Sequence, residues 1–237
     1  LGPLLIASLA GLLLLDVALP SPAAIPVVIS LLGTASLVEF HAMTARMGMR
    51  PAAAAGPLLG GAYLLAHAAG PDAAGRTAPF LAAAVTLLAL GIAARERRRR
   101  PLASAAATAA GFLCVVLPLS VLLRLQGVGG GPGLLILAVA VSKGSDTFAY
   151  LGGTAFGRTP LAPAISPRKT VEGAFAGLAG SVAAAWAGAA LLHPEWTAAR
   201  QGIEALLLGL VGGAAAQAGD LSESILKRRA GVKDSGA

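Results

Sequence analysis

The sequence predicts an all-α, polytopic integral membrane protein. Three observations carry that expectation. Of 237 residues, 56% are hydrophobic and only 12% charged, about half the charged share of a soluble domain. Mean hydropathy is +0.77. The apolar residues lie in long runs, not at the spacings of half-buried strands or amphipathic helices. The 31 glycines fit as well, since small residues let membrane helices approach closely.

A span needs about 20 apolar residues. In chain order, eight runs qualify: 2–19, 23–40, 52–69, 78–94, 102–123, 133–151, 172–192 and 203–221. The third is the weakest, being rich in Ala and Gly. Alternate loops hold Arg46 and Arg50; Arg95 and Arg97 to Arg100; Arg158, Arg168 and Lys169; and Lys227, Arg228, Arg229 and Lys233. The opposite loops hold only Arg76, Arg124 and Arg200, and Lys143 falls inside a span. The fourteen-to-three split puts the first set in the cytoplasm and both chain ends with it. The net charge of +7 is therefore a topology signal, and nucleic acid is not expected as a partner. The expected organisation is a helical scaffold over 1–130, with room for dimer contacts, and a catalytic membrane region over 131–237 with a cytoplasmic loop at 157–171.

Several features carry no chemistry. Cys114, the single cysteine, excludes an intrachain disulfide framework. "GVGGGPG" (127–133) lacks the Lys and the strand-to-helix setting of a phosphate loop. Glu39 and His41 close the second span and read as interfacial. His67 reads as a core residue, and "HPEWTAAR" (193–200) as an external loop. No basic leader opens the chain, so no signal peptide is expected. The missing initiator Met suggests that the natural N-terminus lies upstream.

The polar residues at membrane depth are the informative ones, because charges there are costly and mark sites or pathways. "VSKGSDTFAY" (141–150) places Lys143, Asp146, Thr147 and Tyr150 on one helical face. A self-neutralising Lys–Asp pair would explain part of it. "GRTPLAPAISPRKTVEG" (157–173) gathers three bases with Ser166 and Thr170, restricted by Pro160, Pro163 and Pro167. Positive-inside topology explains the bases but not the hydroxyls. In "GDLSESILKRRAGVKD" (219–234), Asp220, Glu223, Ser224 and Lys227 again share a face. A helix end with its dipole explains Lys227 to Arg229 but not Asp220. Carboxylates a turn apart suit Mg²⁺, which takes one or two of them together with phosphate oxygens.

The last stretch resembles the signature of phosphatidate cytidylyltransferases (CDP-diacylglycerol synthases): S-x-x-K-R, four residues, then K-D. Here these are Ser224, Lys227, Arg228, Lys233 and Asp234. Residues 145–173 are similar to the family's other block, D-T-x-A-Y at Asp146 to Tyr150 and S-P-x-K-T-x-E-G at Ser166 to Gly173. The resemblance implies that CTP and phosphatidate give CDP-diacylglycerol and pyrophosphate. It implies Mg²⁺, with a second, monovalent cation as a further expectation, and a homodimer in the bacterial inner membrane with its site facing the cytoplasm. It implies Asp220, Glu223 and Asp234 as metal ligands. Catalytic roles fall on Asp220, Asp234 and Lys227. Phosphate contacts fall on Ser166, Lys169, Thr170, Ser224, Arg228 and Lys233. Lys143, Asp146, Tyr150 and Glu172 would line the cavity, with Glu172 contacting metal or fixing Lys169.

In the family, K-D is followed by H-G-G, D-R and another Asp in a final span. This chain stops at Ala237. The expectation is a fragment lacking that last helix and part of the metal site, and so inactive alone. Two other readings compete. A CTP-dependent polyprenol or phytol kinase would move the γ-phosphoryl group to a lipid hydroxyl. A transporter would use the Lys143–Asp146 and Asp220–Glu223 pairs as an ion path, but the two halves of the chain show no matching symmetry.

Overall fold

In the computed structural model, residues 24–66, 101–126, 131–192 and 198–232 are described, with scattered helical positions between 75 and 91. The predicted spans at 2–19 and 78–94, His67, Lys233 and Asp234 lie outside the described residues.

Five described helices are long and apolar enough to cross a membrane: Ile25–Arg46, Leu102–Leu125, Gly133–Phe156, Val171–Leu192 and Gly202–Arg229. They match the predicted second, fifth, sixth, seventh and eighth spans. The third is shorter, an apolar helix over Ala55–Ala66. The chain divides into two compact units, the first ending at Gly129 and the second running from Gly130 to Lys233.

In the first unit, α1 (Ala24–Arg46) packs against α2 (Ala55–Ala66). Two helical stretches follow, α3 (Pro101–Gly111) and α4 (Leu117–Gln126), joined by a π-helical turn at Phe112–Val116. Pro118 explains that turn, because it has no N–H for the carbonyl four residues earlier and the helix must widen locally. Leu37, Leu64, Phe112 and Val116 form the buried centre. The link between α1 and α2 is held to α3 by two backbone donors: Arg50 N–H to Ser104 Oγ (2.9 Å) and Ala52 N–H to Thr108 Oγ1 (3.1 Å). His41 is 1% exposed. That corrects its interfacial reading: α1 runs past it to Arg46, and His41 lies on the inward face.

In the second unit, α5 (Gly131–Phe156), α6 (Val171–Leu192) and α7 (Ala198–Arg229) pack together. Their core is Leu137, Val141, Ala185, Ala189 and Ala205. Close approach depends on missing side chains. A Cβ on Gly152 would collide with the Ala176 methyl, so α5 and α6 cross at a distance only glycine permits. Ser181 Oγ donates to Gly209 O at 2.8 Å and ties α6 to α7.

The expected loop at 157–171 contains a small antiparallel hairpin. Strand β1 (Pro160–Ala162) pairs with β2 (Ser166–Thr170), with Pro160 opposite Thr170 and Ala162 opposite Ser166. Thr170 then caps α6, its Oγ1 accepting the Gly173 N–H at 3.1 Å, which satisfies one orphan donor of the first turn.

Candidate active site

The hairpin stands beside the ends of α5, α6 and α7, and a cavity of about 640 Å³ lies among them. Helix α5 contributes Asp146 and Tyr150. The hairpin contributes Ser166, Arg168, Lys169 and Thr170. Helix α7 contributes Gln217 and Asp220. The sequence blocks at 145–173 and 219–234 thus meet around one space.

Their junction is an ion pair. Lys169 Nζ donates to Asp220 Oδ2 at 3.0 Å across 51 residues of chain. The Asp220 side chain is 51% exposed, so it stays available to a ligand. An exposed pair of this kind contributes little to stability, about 0–1 kcal/mol. Its consequence is positional: a base and an acid are held together at the mouth of an apolar helix bundle.

Glu172 holds the hairpin in place. Its carboxylate accepts the backbone N–H of Arg158 at 3.1 Å and of Thr159 at 3.2 Å. It sits in the first turn of α6, where the helix dipole also favours an acid. It therefore neither fixes Lys169 nor lines the cavity, in contrast to the sequence expectation. Lys143 pairs with Asp146 at 2.9 Å, but Asp146 alone of the two lines the cavity. Glu223, expected as a metal ligand, stands on the same helix as Asp220. It forms an ion pair with Lys227 at 2.6 Å and is not part of the cavity lining.

Gln217 was missed by sequence reasoning. It lies one turn before Asp220 on α7 and lines the same cavity. Its Nε2 donates to Ala174 O (3.0 Å) and to Ser145 Oγ (3.3 Å), which fixes the amide between α5 and α6. A neutral amide in an apolar run carries no charge signal. Its place three residues before Asp220 is the only clue the sequence offers.

Among the described residues, no three His, Cys, Asp or Glu side chains cluster to hold a metal ion by themselves. The donor set still suits Mg²⁺. Asp146 and Asp220 supply hard carboxylate oxygens on one cavity, and Ser166 and Thr170 supply hydroxyls. A cation that keeps waters and takes substrate phosphate oxygens needs no larger protein cage.

Ser224, Lys227 and Arg228 line a second cavity, of about 570 Å³, which shares Ser166 with the first. The Nε of Arg228 donates to the carbonyl of Ile165 at the hairpin turn.

Known proteins are similar to parts of this chain. The chain is 48% identical over 93 residues to phosphatidate cytidylyltransferase 5, chloroplastic, of Arabidopsis thaliana, covering 39% of this chain and 22% of that protein. It is 48% identical over 107 residues to the phosphatidate cytidylyltransferase of Synechocystis, covering 44% and 34%. It is 42% identical over 107 residues to the Pseudomonas aeruginosa phosphatidate cytidylyltransferase, covering 44% and 37%. The chain thus spans between about a fifth and two fifths of these relatives' lengths. The sequence profile of the cytidylyltransferase family matches residues 4–237. The chain belongs to the cytidylyltransferase family.

Proposed function

We propose that the protein is a phosphatidate cytidylyltransferase, joining CTP and phosphatidate to give CDP-diacylglycerol and pyrophosphate. The observation that carries this is the Lys169–Asp220 pair, 3.0 Å apart on one cavity at the end of apolar helices. A membrane-bound anionic lipid and a soluble polyphosphate would both need such a place. The names of the three relatives support the same reaction.

Phosphoryl-group chemistry of this kind depends on positioning and charge neutralisation. Lys169, a compact cation on β2, would offer its ammonium to a substrate phosphate, while Asp220 would be a ligand for Mg²⁺. Arg168, Ser166 and Thr170 add donors from the same strand. Glu172 keeps the hairpin against α6, so these donors are fixed before substrate arrives. Gln217, fixed by Ser145 and Ala174, adds a neutral amide to the cavity wall. Asp220 and Asp146 would hold Mg²⁺, which supplies charge neutralisation at the triphosphate and its leaving group. A second cation would find its remaining ligands beyond the described residues, where Asp234 lies. The site faces the cytoplasm of a bacterial inner membrane in this proposal, with the protein acting as a homodimer.

The test uses full-length protein with phosphatidate, Mg²⁺ and radiolabelled CTP. CDP-diacylglycerol is expected from the wild type. No formation of it in the wild type, under conditions where a Pseudomonas aeruginosa relative is active, would overturn the proposal.

A further inference from the structure

Helix α7 adds a neutral side chain, Gln217, to the cavity wall beside Asp220, and its amide is held in one orientation. The Nε2 donates to Ala174 O on α6 at 3.0 Å and to Ser145 Oγ on α5 at 3.3 Å. A backbone carbonyl only accepts, so the nitrogen must face Ala174 and the oxygen must face elsewhere. Room for the amide comes from Gly177, where a Cβ would stand 2.8 Å from Nε2. Both amide protons are used in these two bonds. The Oε1 accepts no hydrogen bond among the described residues, and it is not sealed from solvent. A fixed acceptor is therefore left open on a cavity that also carries Asp146 and Asp220.

We propose that Gln217 is a positioning residue for the divalent cation, its Oε1 accepting a hydrogen bond from water around the ion while Asp220 supplies a carboxylate. The inference rests on the reading of this cavity as the Mg²⁺ site of a cytidylyltransferase.

Three considerations select that role. The first is sign. An amide oxygen and a phosphate oxygen are both acceptors, so Oε1 does not bind substrate phosphate directly. It attracts a donor, and water polarised by a cation is a strong one. The second is spacing. Residues three apart on a helix have Cβ atoms about 5–6 Å apart, so Gln217 and Asp220 flank the same space. The third is the shortage of protein ligands. Mg²⁺ demands octahedral geometry and keeps several waters, and among the described residues only Asp146 and Asp220 bring carboxylates to the cavity lining. The waters that complete such a shell need protein partners to orient them, and these partners set metal affinity alongside the ligands themselves. A neutral partner does so without adding negative charge against the incoming triphosphate. Its attachment to α5 and α6 fixes the acceptor before the ion arrives.

The test is titration of Mn²⁺ alone, a spectroscopic stand-in for Mg²⁺, into full-length protein in detergent, with free Mn²⁺ read by electron paramagnetic resonance. Wild type should bind the ion, and Asp220→Asn should abolish binding. Gln217→Met keeps the length of the side chain but has neither acceptor nor donors. It should weaken binding about tenfold, the scale of a lost partner to a metal's shell. Gln217→Glu separates positioning from helix packing. A carboxylate cannot donate to Ala174 O, so Glu fails as a helix tie just as Met does, and both variants should lower Tm alike. Glu still offers an oxygen to the cavity, so its Mn²⁺ affinity should stay within threefold of wild type or rise. Turnover with CTP and phosphatidate gives a second readout: Gln217→Met should need about tenfold more Mg²⁺ for half-saturation, with kcat at saturation within a few fold. The inference is overturned if Gln217→Met binds Mn²⁺ within threefold of wild type, or if Gln217→Glu loses as much affinity as Gln217→Met. Wild type that binds no Mn²⁺ at millimolar concentration, or Asp220→Asn that binds it unchanged, overturns it together with the metal's placement in this cavity. Wild type that binds Mn²⁺ through Asp220 and Gln217 but makes no CDP-lipid would support the role of Gln217 and contradict the proposed reaction.

Discussion

Both the helices of residues 24–126 and those of residues 131–232 bury hydroxyls inside the bundle, but only the second set also leaves charged groups open to a described cavity. In the first region, Ser30, Thr44, Ser104 and Thr108 are buried. Ser30 donates to Pro26 O at 2.6 Å and Thr44 to His41 O at 3.0 Å, while Ser104 and Thr108 anchor the backbone of residues 50 and 52. Their hydrogen-bonding capacity is used inside the protein. In the second region, Asp146, Tyr150, Lys169 and Asp220 remain open to a cavity. Polarity within an apolar helix therefore does not by itself mark chemistry. Accessibility to a ligand separates a polar group that builds the fold from one that can act on a substrate.

The strongest way to break this contrast is Asp220→Asn. It keeps shape and removes charge where a metal and triphosphate should meet. Turnover should fall at least about 10²-fold, with little change in thermal unfolding. Activity retained within a few fold would place the metal elsewhere. Gly152→Val should act on the fold of the second region instead. The new side chain meets Ala176, and overpacking of this kind costs about 1–3 kcal/mol. A clear drop in Tm in detergent is expected, and an unchanged Tm would show that α5 and α6 can separate freely.

Glu172→Ala should sit between catalysis and structure. It removes the acceptor for the Arg158 and Thr159 N–H groups, so the hairpin's donors lose their alignment. A fall of about three- to tenfold in kcat/KM is expected with Tm nearly unchanged, the scale of one hydrogen-bonded anchor. A loss as deep as that of Asp220→Asn would mean that Glu172 touches the reacting groups. The smallest effect belongs to His41→Leu. Neither ring nitrogen of this buried histidine makes a hydrogen bond of good geometry among the described residues, the Ala52 backbone being its nearest polar neighbour, and a poorly satisfied buried group is destabilising. Tm should hold or rise while kcat and KM stay within twofold. A tenfold loss of activity would erase the distinction drawn between the two regions.

Much of this was legible in the sequence, for identifiable reasons. The spans were readable because a bilayer demands about 20 apolar residues in succession, and no tertiary contact is needed to see them. The Lys143–Asp146 pair was readable because i and i+3 share a helical face. The Lys169–Asp220 pair was not, since its partners lie on different elements. The hairpin was hidden by "PLAPAISPRKT", where three prolines and short polar strands carry no period-2 apolar pattern. Glu172 was assigned to the ligand side because its charge was visible and its backbone partners were not. His41 was assigned to the interface because the apolar run ends near it, whereas the helix continues to Arg46.

The most direct test of the central claim follows the phosphorus atoms of CTP in full-length protein supplied with phosphatidate and Mg²⁺. With label on the α-phosphorus, the account predicts radioactive lipid. With label on the γ-phosphorus, it predicts radioactive pyrophosphate and unlabelled lipid. Radioactive lipid from the γ-label, with CDP as the soluble product, would contradict it and identify a lipid kinase.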